Sequence, residues 1–131
     1  MNEFINPKAS HIPRPVAAYS HCVKVPAAAE WLVISGQIGI DPNGRLLDGA
    51  RMQAEQAFRN ILACLKESGM GKKDLVKITT FLTDPRHIDA YRVARKKVIG
   101  DATKPAATLL IVDGLASPDM VIEIEAIAAK G

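Results

Sequence analysis

Two glutamates near the end of the chain have a type and spacing that suit general acid or base chemistry. Apolar and polar side chains alternate along Met120–Ala128, which in a strand puts Glu123 and Glu125 on one face. Such neighbours stand roughly 6–7 Å apart, and a carboxyl group in an apolar setting can act as a general acid or base. The alternative is that both glutamates pair with Lys or Arg across a subunit contact.

A glycine interrupts the apolar segment Trp31–Ile40, within the tripeptide Ser35-Gly36-Gln37. A glycine inside a strand marks either a bulge or a place where a ligand approaches the backbone, and both interpretations remain open here. Ser35 could act as a nucleophile only beside a base, and the G-x-S-x-G motif that exposes such a serine is absent. We therefore do not expect serine-hydrolase chemistry.

Four basic side chains lie close together on one predicted helix: Arg92, Arg95, Lys96 and Lys97. They indicate a solvated face or, alternatively, a patch for RNA or an acidic partner. The formal charge is only +3 and aromatic residues make up 5% of the chain, so we do not expect nucleic acid as the partner. The histidines and cysteines lack the spacing of a zinc site, and no metal is predicted.

Apolar periodicity predicts the elements that position these groups. Ala54, Phe58, Ile61 and Leu65 recur at helical spacing, and Asp84 followed by a proline is typical of a helix start. Alternating, β-branched segments predict strands, of which the first two are expected to pair with each other. The predicted helices are Arg51–Ser68 and Asp84–Gly100, and the predicted strands are Ala18–Val25, Trp31–Ile40, Asp74–Thr83, Ala107–Val112 and Met120–Ala128.

The predicted order β-β-α-β-α-β-β indicates an α+β fold, with a single mixed sheet that packs two helices on one face. The strands are too apolar on both faces for one face to be solvated, so we expect an oligomer that buries the open face. The length of 131 residues is typical of one domain. No segment has the length of a membrane span and the N-terminus has no apolar signal segment, so a cytoplasmic protein is expected.

Several segments taken together resemble the RidA/YjgF family, also described as endoribonuclease L-PSP. They are PVAAYSH, LVISGQIGID, QAEQAFRNILACL, DLVKITTFLTD, KPAATLLIV and LASPDMVIEIEAIA. The resemblance covers nearly the whole chain, 1–131, in order and with short gaps. It implies a chorismate-mutase-like fold, a homotrimer with ligand pockets between subunits, and hydrolysis of reactive enamines and imines to 2-oxo acids and ammonia without a metal or organic cofactor.

The resemblance also implies roles for individual residues. Tyr19 matches the family's pocket tyrosine, Ser35 the serine of the SGQ segment, and Glu123 the glutamate that orients the attacking water or carries its proton. Gly36 and Thr108 belong to the same expected pocket.

One position departs from the family pattern. Deaminating members carry an arginine that clamps the substrate carboxylate where this chain has Ala107. A bidentate arginine gives both affinity and orientation, so a substitute such as Arg14 or Lys104, or an altered substrate, is expected.

These features favour a cofactor-free enamine and imine hydrolase with a changed substrate preference. A small-molecule-binding trimer without catalysis is the first alternative, because the clamp is absent. RNA cleavage or inhibition of translation is the second alternative. It is less favoured because no pair of acid and base groups beside a cationic clamp is evident.

Overall fold

The computed structural model describes residues 1–131, and its elements follow the predicted order with one additional strand in front. That first strand, β1, covers Glu3–Ile5, and the two helices are α1 (Gly49–Glu67) and α2 (Ile88–Val98). Short 3-10 turns at Lys72–Asp74 and Pro85–His87 precede β4 and α2. The other strands are β2 (Cys22–Lys24), β3 (Glu30–Gln37), β4 (Leu75–Leu82), β5 (Ala106–Ile111) and β6 (Ile122–Lys130).

A four-stranded sheet in the order β3-β6-β4-β5 organises the molecule. The pairs β3–β6 and β6–β4 are antiparallel, whereas β4 and β5 are parallel and are connected through α2. Both helices contribute to one hydrophobic cluster of 16 buried residues on one face of this sheet. The predicted α+β class, with a mixed sheet and two helices on one face, is therefore confirmed. Neither helix has the length and apolar character needed to cross a membrane.

The predicted pairing of the first two strands is wrong. Strand β2 pairs with β1 in a separate two-stranded sheet, and β3 pairs with β6 from the other end of the chain. The segment before β2 does not extend the strand, because the backbone N–H of Ser20 donates to Pro105 and that of His21 to Asn6. The longer β6 offers β3 more paired residues than the three-residue β2 could.

The side chains of β6 point alternately toward the helices and toward the open face of the sheet, as the sequence predicts. Ile122, Ile124, Ala126 and Ala128 are buried under the helices, together with the α1 core side chains. On the open face of the sheet, Trp31 is 57% and Val33 is 76% exposed. Because strand pairs share a face, Glu123 and Glu125 lie on this open face with Phe81 and Thr79, their partners on β4.

A buried carboxylate joins the two helices. The side chain of Glu55 on α1 is only 3% exposed, and its oxygens lie 2.9 Å from Lys97 Nζ, 3.1 Å from Arg51 Nε and 3.4 Å from Arg59 Nη2. The hydrogen bond from Lys97 is the main cause that lowers the pKa of Glu55, and Arg51 adds to it while burial opposes it. Lys97 is still exposed, but its ammonium group also links α2 to α1.

Two glycines permit close approaches around β3. The register of the β3–β6 pair shifts between Ile34 and Gln37, so the glycine in this segment forms a bulge, one of the two predicted alternatives. A methyl group on Gly36 would overlap the carboxylate of Glu123, which is the mobile end of a side chain. A methyl group on Gly39 would instead overlap the backbone of Gln53 on α1, which cannot move without the helix.

Replacing Glu55 with Gln should lower the free energy of unfolding at pH 7 by about 1–3 kcal/mol, because charge-assisted hydrogen bonds are lost. The pKa of Glu55 is lower in the folded state than its ordinary value of 4.5, so the unfolded chain binds the extra proton. The stabilisation is therefore present above that value and is lost as the pH falls through the folded pKa.

Urea unfolding from pH 3 to pH 8 measures this effect. The gap between the parent and Glu55→Gln should close at the acid end. Glu67→Gln, at an exposed position of the same helix, is the control and should change stability by less than about 0.5 kcal/mol. A gap that is constant across the pH range would contradict the ion cluster.

The two glycines should respond differently to the same substitution. Gly39→Ala should cost about 1–3 kcal/mol or more, because the bend after β3 and the backbone of α1 must separate. Gly36→Ala should cost less than Gly39→Ala, because only the Glu123 side chain from Cγ outward has to move and no backbone has to separate. Equal losses in urea unfolding would show that the two contacts are not of these different kinds.

Candidate active site

The predicted site residues fall into two groups in the folded chain. Tyr19, Ala107 and Thr108 line one cavity. Ser35, Gly36 and Glu123 line neither this cavity nor the one beside it, and they cluster where β3 meets β6. The sequence predicted one pocket, whereas one copy of the chain carries two separated parts.

The cavity has a volume of about 420 Å³ and lies between the loop before β2, helix α2 and the edge strand β5. Tyr19 is fixed at its wall, since the backbone N–H of Val16 donates to the Tyr19 hydroxyl over 3.3 Å and the His21 ring packs edge-on at 5.6 Å. The hydroxyl of Thr108 accepts a hydrogen bond of 2.6 Å from Lys77. The lining residues are Val16, Ala17, Ala18, Tyr19, Tyr91, Arg92, Arg95, Lys96, Asp101, Ala107, Thr108 and Leu109.

A second cavity, of about 460 Å³, lies on the other side of Tyr19. Arg14 and Lys104 line this second cavity, as do Asn6 and Pro15. The two predicted substitutes for the missing arginine therefore do not line the cavity of Ala107. Only Tyr19 and Ala17 are common to both cavities.

The basic residues of α2 separate into distinct environments. Arg95 is 7% exposed and donates to the carbonyls of Gly100 and Thr103, each over 3.2 Å, so it closes the end of the helix. Lys96 Nζ lies 3.8 Å from Asp101. Arg92 lines the cavity without an ion pair or a side-chain hydrogen bond. The predicted basic, solvated face is thus wrong for Arg95, which is buried, whereas Arg92, Lys96 and Lys97 are exposed.

Asp84 caps the 3-10 turn Pro85–His87 that leads into α2, whose own N-cap residue, His87, makes no side-chain cap hydrogen bond. Asp84, predicted as the cap with proline next to it, accepts a hydrogen bond of 2.8 Å from the backbone of Arg86. The Arg86 guanidinium also donates to the Asp84 carboxylate and is the main cause that lowers the pKa of Asp84 to about 2. Burial raises the pKa of Tyr91, whose hydroxyl accepts from Thr80 over 3.0 Å. Tyr91 therefore stays neutral at ordinary pH.

Glu123 is positioned by contacts on both sides of β6. Its half-buried side chain packs over Gly36, so the bulge in β3 makes the space for the carboxylate. The buried amide of Gln53 donates to the carbonyl of Asp119 over 2.9 Å and accepts from the N–H of Val121 over 3.0 Å. These bonds fix the turn that leads into the strand of Glu123.

Sequence reasoning missed Gln53, and it named Arg92 only as one of four basic residues on the helix, not as part of the cavity. The signal for Gln53 was a polar residue among the apolar positions of the first helix. The signal for Arg92 was its i, i+3 and i, i+4 relation to Arg95 and Lys96, which puts all three on one side of α2.

The two groups lie apart in the sheet. Ala107 pairs with Ile78 on the helix side of β4, whereas Thr108 pairs with Thr79 on the open face, where Glu123 pairs with Phe81. Strand β4 separates β6 from β5, a span of roughly 10 Å. Within one chain the Glu123 carboxylate therefore does not line the cavity. No group of three His, Cys, Asp or Glu side chains converges as metal ligands would, and we assign no metal site.

Comparison with known proteins identifies the family. Residues 9–130 match the family described as Endoribonuclease L-PSP. A RutC family protein of Aquifex aeolicus is 36% identical over 132 residues, covering 99% of this chain and 100% of that protein. A 2-iminobutanoate/2-iminopropanoate deaminase of Rattus norvegicus is 34% identical over 124 residues, covering 93% of this chain and 87% of that protein.

Solved structures agree with the sequence comparison. A Yersinia pestis protein of the conserved Rid protein family superposes with a TM-score of 0.81 at 26% identity, covering 98% of each chain. The predicted family fold is therefore confirmed. Some members of the family that are similar to this chain are named 2-iminobutanoate/2-iminopropanoate deaminases. Because the sequence match and the superposed structure agree, the chain belongs to the RidA/YjgF family.

Proposed function

We propose that the protein is a cofactor-free hydrolase of reactive enamines and imines, of the deaminase type that releases ammonia. The observation that carries the proposal is the half-buried carboxylate of Glu123, which packs over Gly36. Its strand, β6, is held in place by β3 on one side and β4 on the other. Relatives of the chain that are named as 2-iminobutanoate/2-iminopropanoate deaminases support this chemistry.

A protonated imine needs little help to react with water. The Glu123 carboxylate takes a proton from a water molecule while the water oxygen attacks the imine carbon and the C=N electron pair moves to nitrogen. Glu123 then returns the proton to the nitrogen of the amino alcohol. The C–N bond breaks, the hydroxyl proton passes to the departing ammonia, and a ketone and ammonium remain. Oxidation states do not change, so the residues have only to position water and move one proton.

We propose that the protein acts as a homotrimer in which the site forms between subunits. The argument is the separation of the two groups of site residues, which a neighbouring copy can remove. A cyclic arrangement brings the open face of one copy, with Ser35 and Glu123, against the cavity of the next copy, with Tyr19 and Thr108. The exposed Trp31 and Val33 on the open face are then covered.

The substrate preference follows from Ala107. A methyl group at this position leaves room in the cavity but supplies no charge to a substrate carboxylate. We therefore propose that the substrate differs in shape or binding mode from one held by an arginine on β5. The alternative, a small-molecule-binding trimer without turnover, is favoured by one observation: the cavity exists in a single copy without the carboxylate of Glu123.

Sedimentation equilibrium should give the mass of three chains. Val33→Glu puts a charge on the open face and should shift the protein toward monomers, because an unpaired carboxylate would be buried in the contact. Val93→Glu, at a half-exposed position of α2, is the matched control and should leave the trimer intact. A parent protein that sediments as a monomer would refute the shared site.

Ammonia release from imines generated in solution tests the reaction itself. Glu123→Gln should lower the rate at least about 100-fold, because general acid and base catalysis is lost. Glu125→Gln, on the same face of the same strand, should keep most of the activity. Ala107→Arg should raise the rate for imines of simple amino acids. Unchanged turnover in Glu123→Gln would sink the assignment, and no turnover in any variant would favour the binding protein.

A further inference from the structure

The cavity beside α2 combines apolar walls with one cation, Arg92, whose side chain has neither an ion pair nor a hydrogen bond. Seven of its twelve lining residues are hydrophobic. Its volume of about 420 Å³ falls within the range of roughly 300–1,000 Å³ that is usual for small-molecule sites. A cavity of this kind binds a small, mostly apolar molecule and orients it through a few polar groups.

Most polar groups of the cavity are already engaged within the protein. Arg95 donates to two backbone carbonyls and Lys96 has Asp101 as a counter-charge. The hydroxyl of Tyr91 accepts from Thr80, and that of Thr108 accepts from Lys77. These groups have partners before any ligand arrives.

Arg92 differs from all of them. Its exposed side chain has no carboxylate within ion-pair distance, and Arg95 and Lys96 on the same side of the helix keep the local charge positive. A planar guanidinium presents two parallel N–H donors, which match the two oxygens of a carboxylate. Ala107, which lines the same cavity, fills little of it because its side chain is a methyl group.

We propose that Arg92 on α2 is the anion-binding residue of this cavity and that it takes the carboxylate of a small 2-oxo or 2-imino acid. The inference rests on the proposed hydrolase only for the identity of the substrate, and binding of a carboxylate can be measured without turnover. It assigns the specificity of the site to a helix instead of the edge strand. The carboxylate then lies at the α2 side of the cavity, and the apolar part of the ligand lies toward Val16 and Leu109.

Direct binding tests the proposal with pyruvate, inorganic phosphate and acetone as probes in isothermal titration calorimetry. The parent protein should bind pyruvate, and acetone, which lacks the charge, should not bind. Arg92→Ala should weaken pyruvate binding at least tenfold, and Arg92→Lys should restore only part of it because the fork of two donors is lost. Arg45→Ala removes an exposed arginine that lines neither cavity and should change the affinity less than twofold.

Three outcomes would overturn the proposal. The first is a parent protein that does not bind pyruvate. The second is phosphate binding without pyruvate binding, which would indicate a site for a tetrahedral anion. The third is an unchanged affinity in Arg92→Ala together with a loss in the Arg14→Ala, Lys104→Ala double variant, which would move the anion site to the second cavity.

Kinetics distinguish this proposal from the proposed hydrolase. Glu123→Gln should bind pyruvate like the parent while losing turnover. Arg92→Ala should raise KM for imines of amino acids but not for imines of simple amines, because only the former carry the carboxylate. Retained turnover in Glu123→Gln would refute the hydrolase and leave the anion site standing. Equal KM changes for both kinds of imine would refute the anion site and leave the hydrolase standing.

Discussion

Strand β6 has neighbours on both sides, so each of its side chains must point either toward the helices or toward the open face. Burial of Ile122 and Ile124 under α1 decides which, and it forces Glu123 and Glu125 onto the open face. A shift of one residue would put the carboxylates into the core and the isoleucines outside. The hydrophobic effect on one side of the strand therefore fixes the position of the polar chemistry on the other.

The strand order separates Glu123 from the cavity. The cavity lies at the outer edge of the sheet, where the loop before β2 closes against α2 and β5, and Ala107 and Thr108 line it from opposite faces of β5. Glu123 cannot follow, because β4 stands between β6 and β5. A second copy of the chain provides a simple way to unite them, and the exposed apolar side chains of the open face give that copy a surface to cover. In the proposed trimer, oligomerisation and the proposed catalysis have one common structural cause.

The sequence predicted the elements better than their partners. Helix α1 and strands β4 to β6 follow from local periodicity, which depends on residues close in the chain, and the structure places them within a few residues of the predicted bounds. The partner of β3 comes from about 90 residues away, and no local pattern encodes this choice between β2 and β6. The bulge at Gly36 was one of two predicted alternatives, and the Glu123 side chain gives its physical reason.

The site was predictable residue by residue but not as an assembly. Tyr19, Ala107 and Thr108 line one cavity as a group, yet Arg92 joins them only because α2 folds back over the edge of the sheet. The charge of Arg92 is visible in the sequence. That Arg92 has no ion-pair partner is not, because this depends on which carboxylates the folded chain places near each cation. Arg14 and Lys104 have the right charge in the sequence but line the second cavity.

Mixed oligomers test the shared site most directly. Chains with Glu123→Gln keep the cavity but lose the carboxylate. Chains with Ala107→Trp keep the carboxylate, but the indole fills the cavity. An oligomer made of either variant alone should therefore be inactive. After the two are unfolded together and refolded at equal concentration, about a quarter of the subunit contacts should combine an intact carboxylate with an intact cavity. We predict ammonia release at about a quarter of the parent rate. Mixed oligomers that are as inactive as the oligomers of each variant alone would contradict a site built from two copies of this chain.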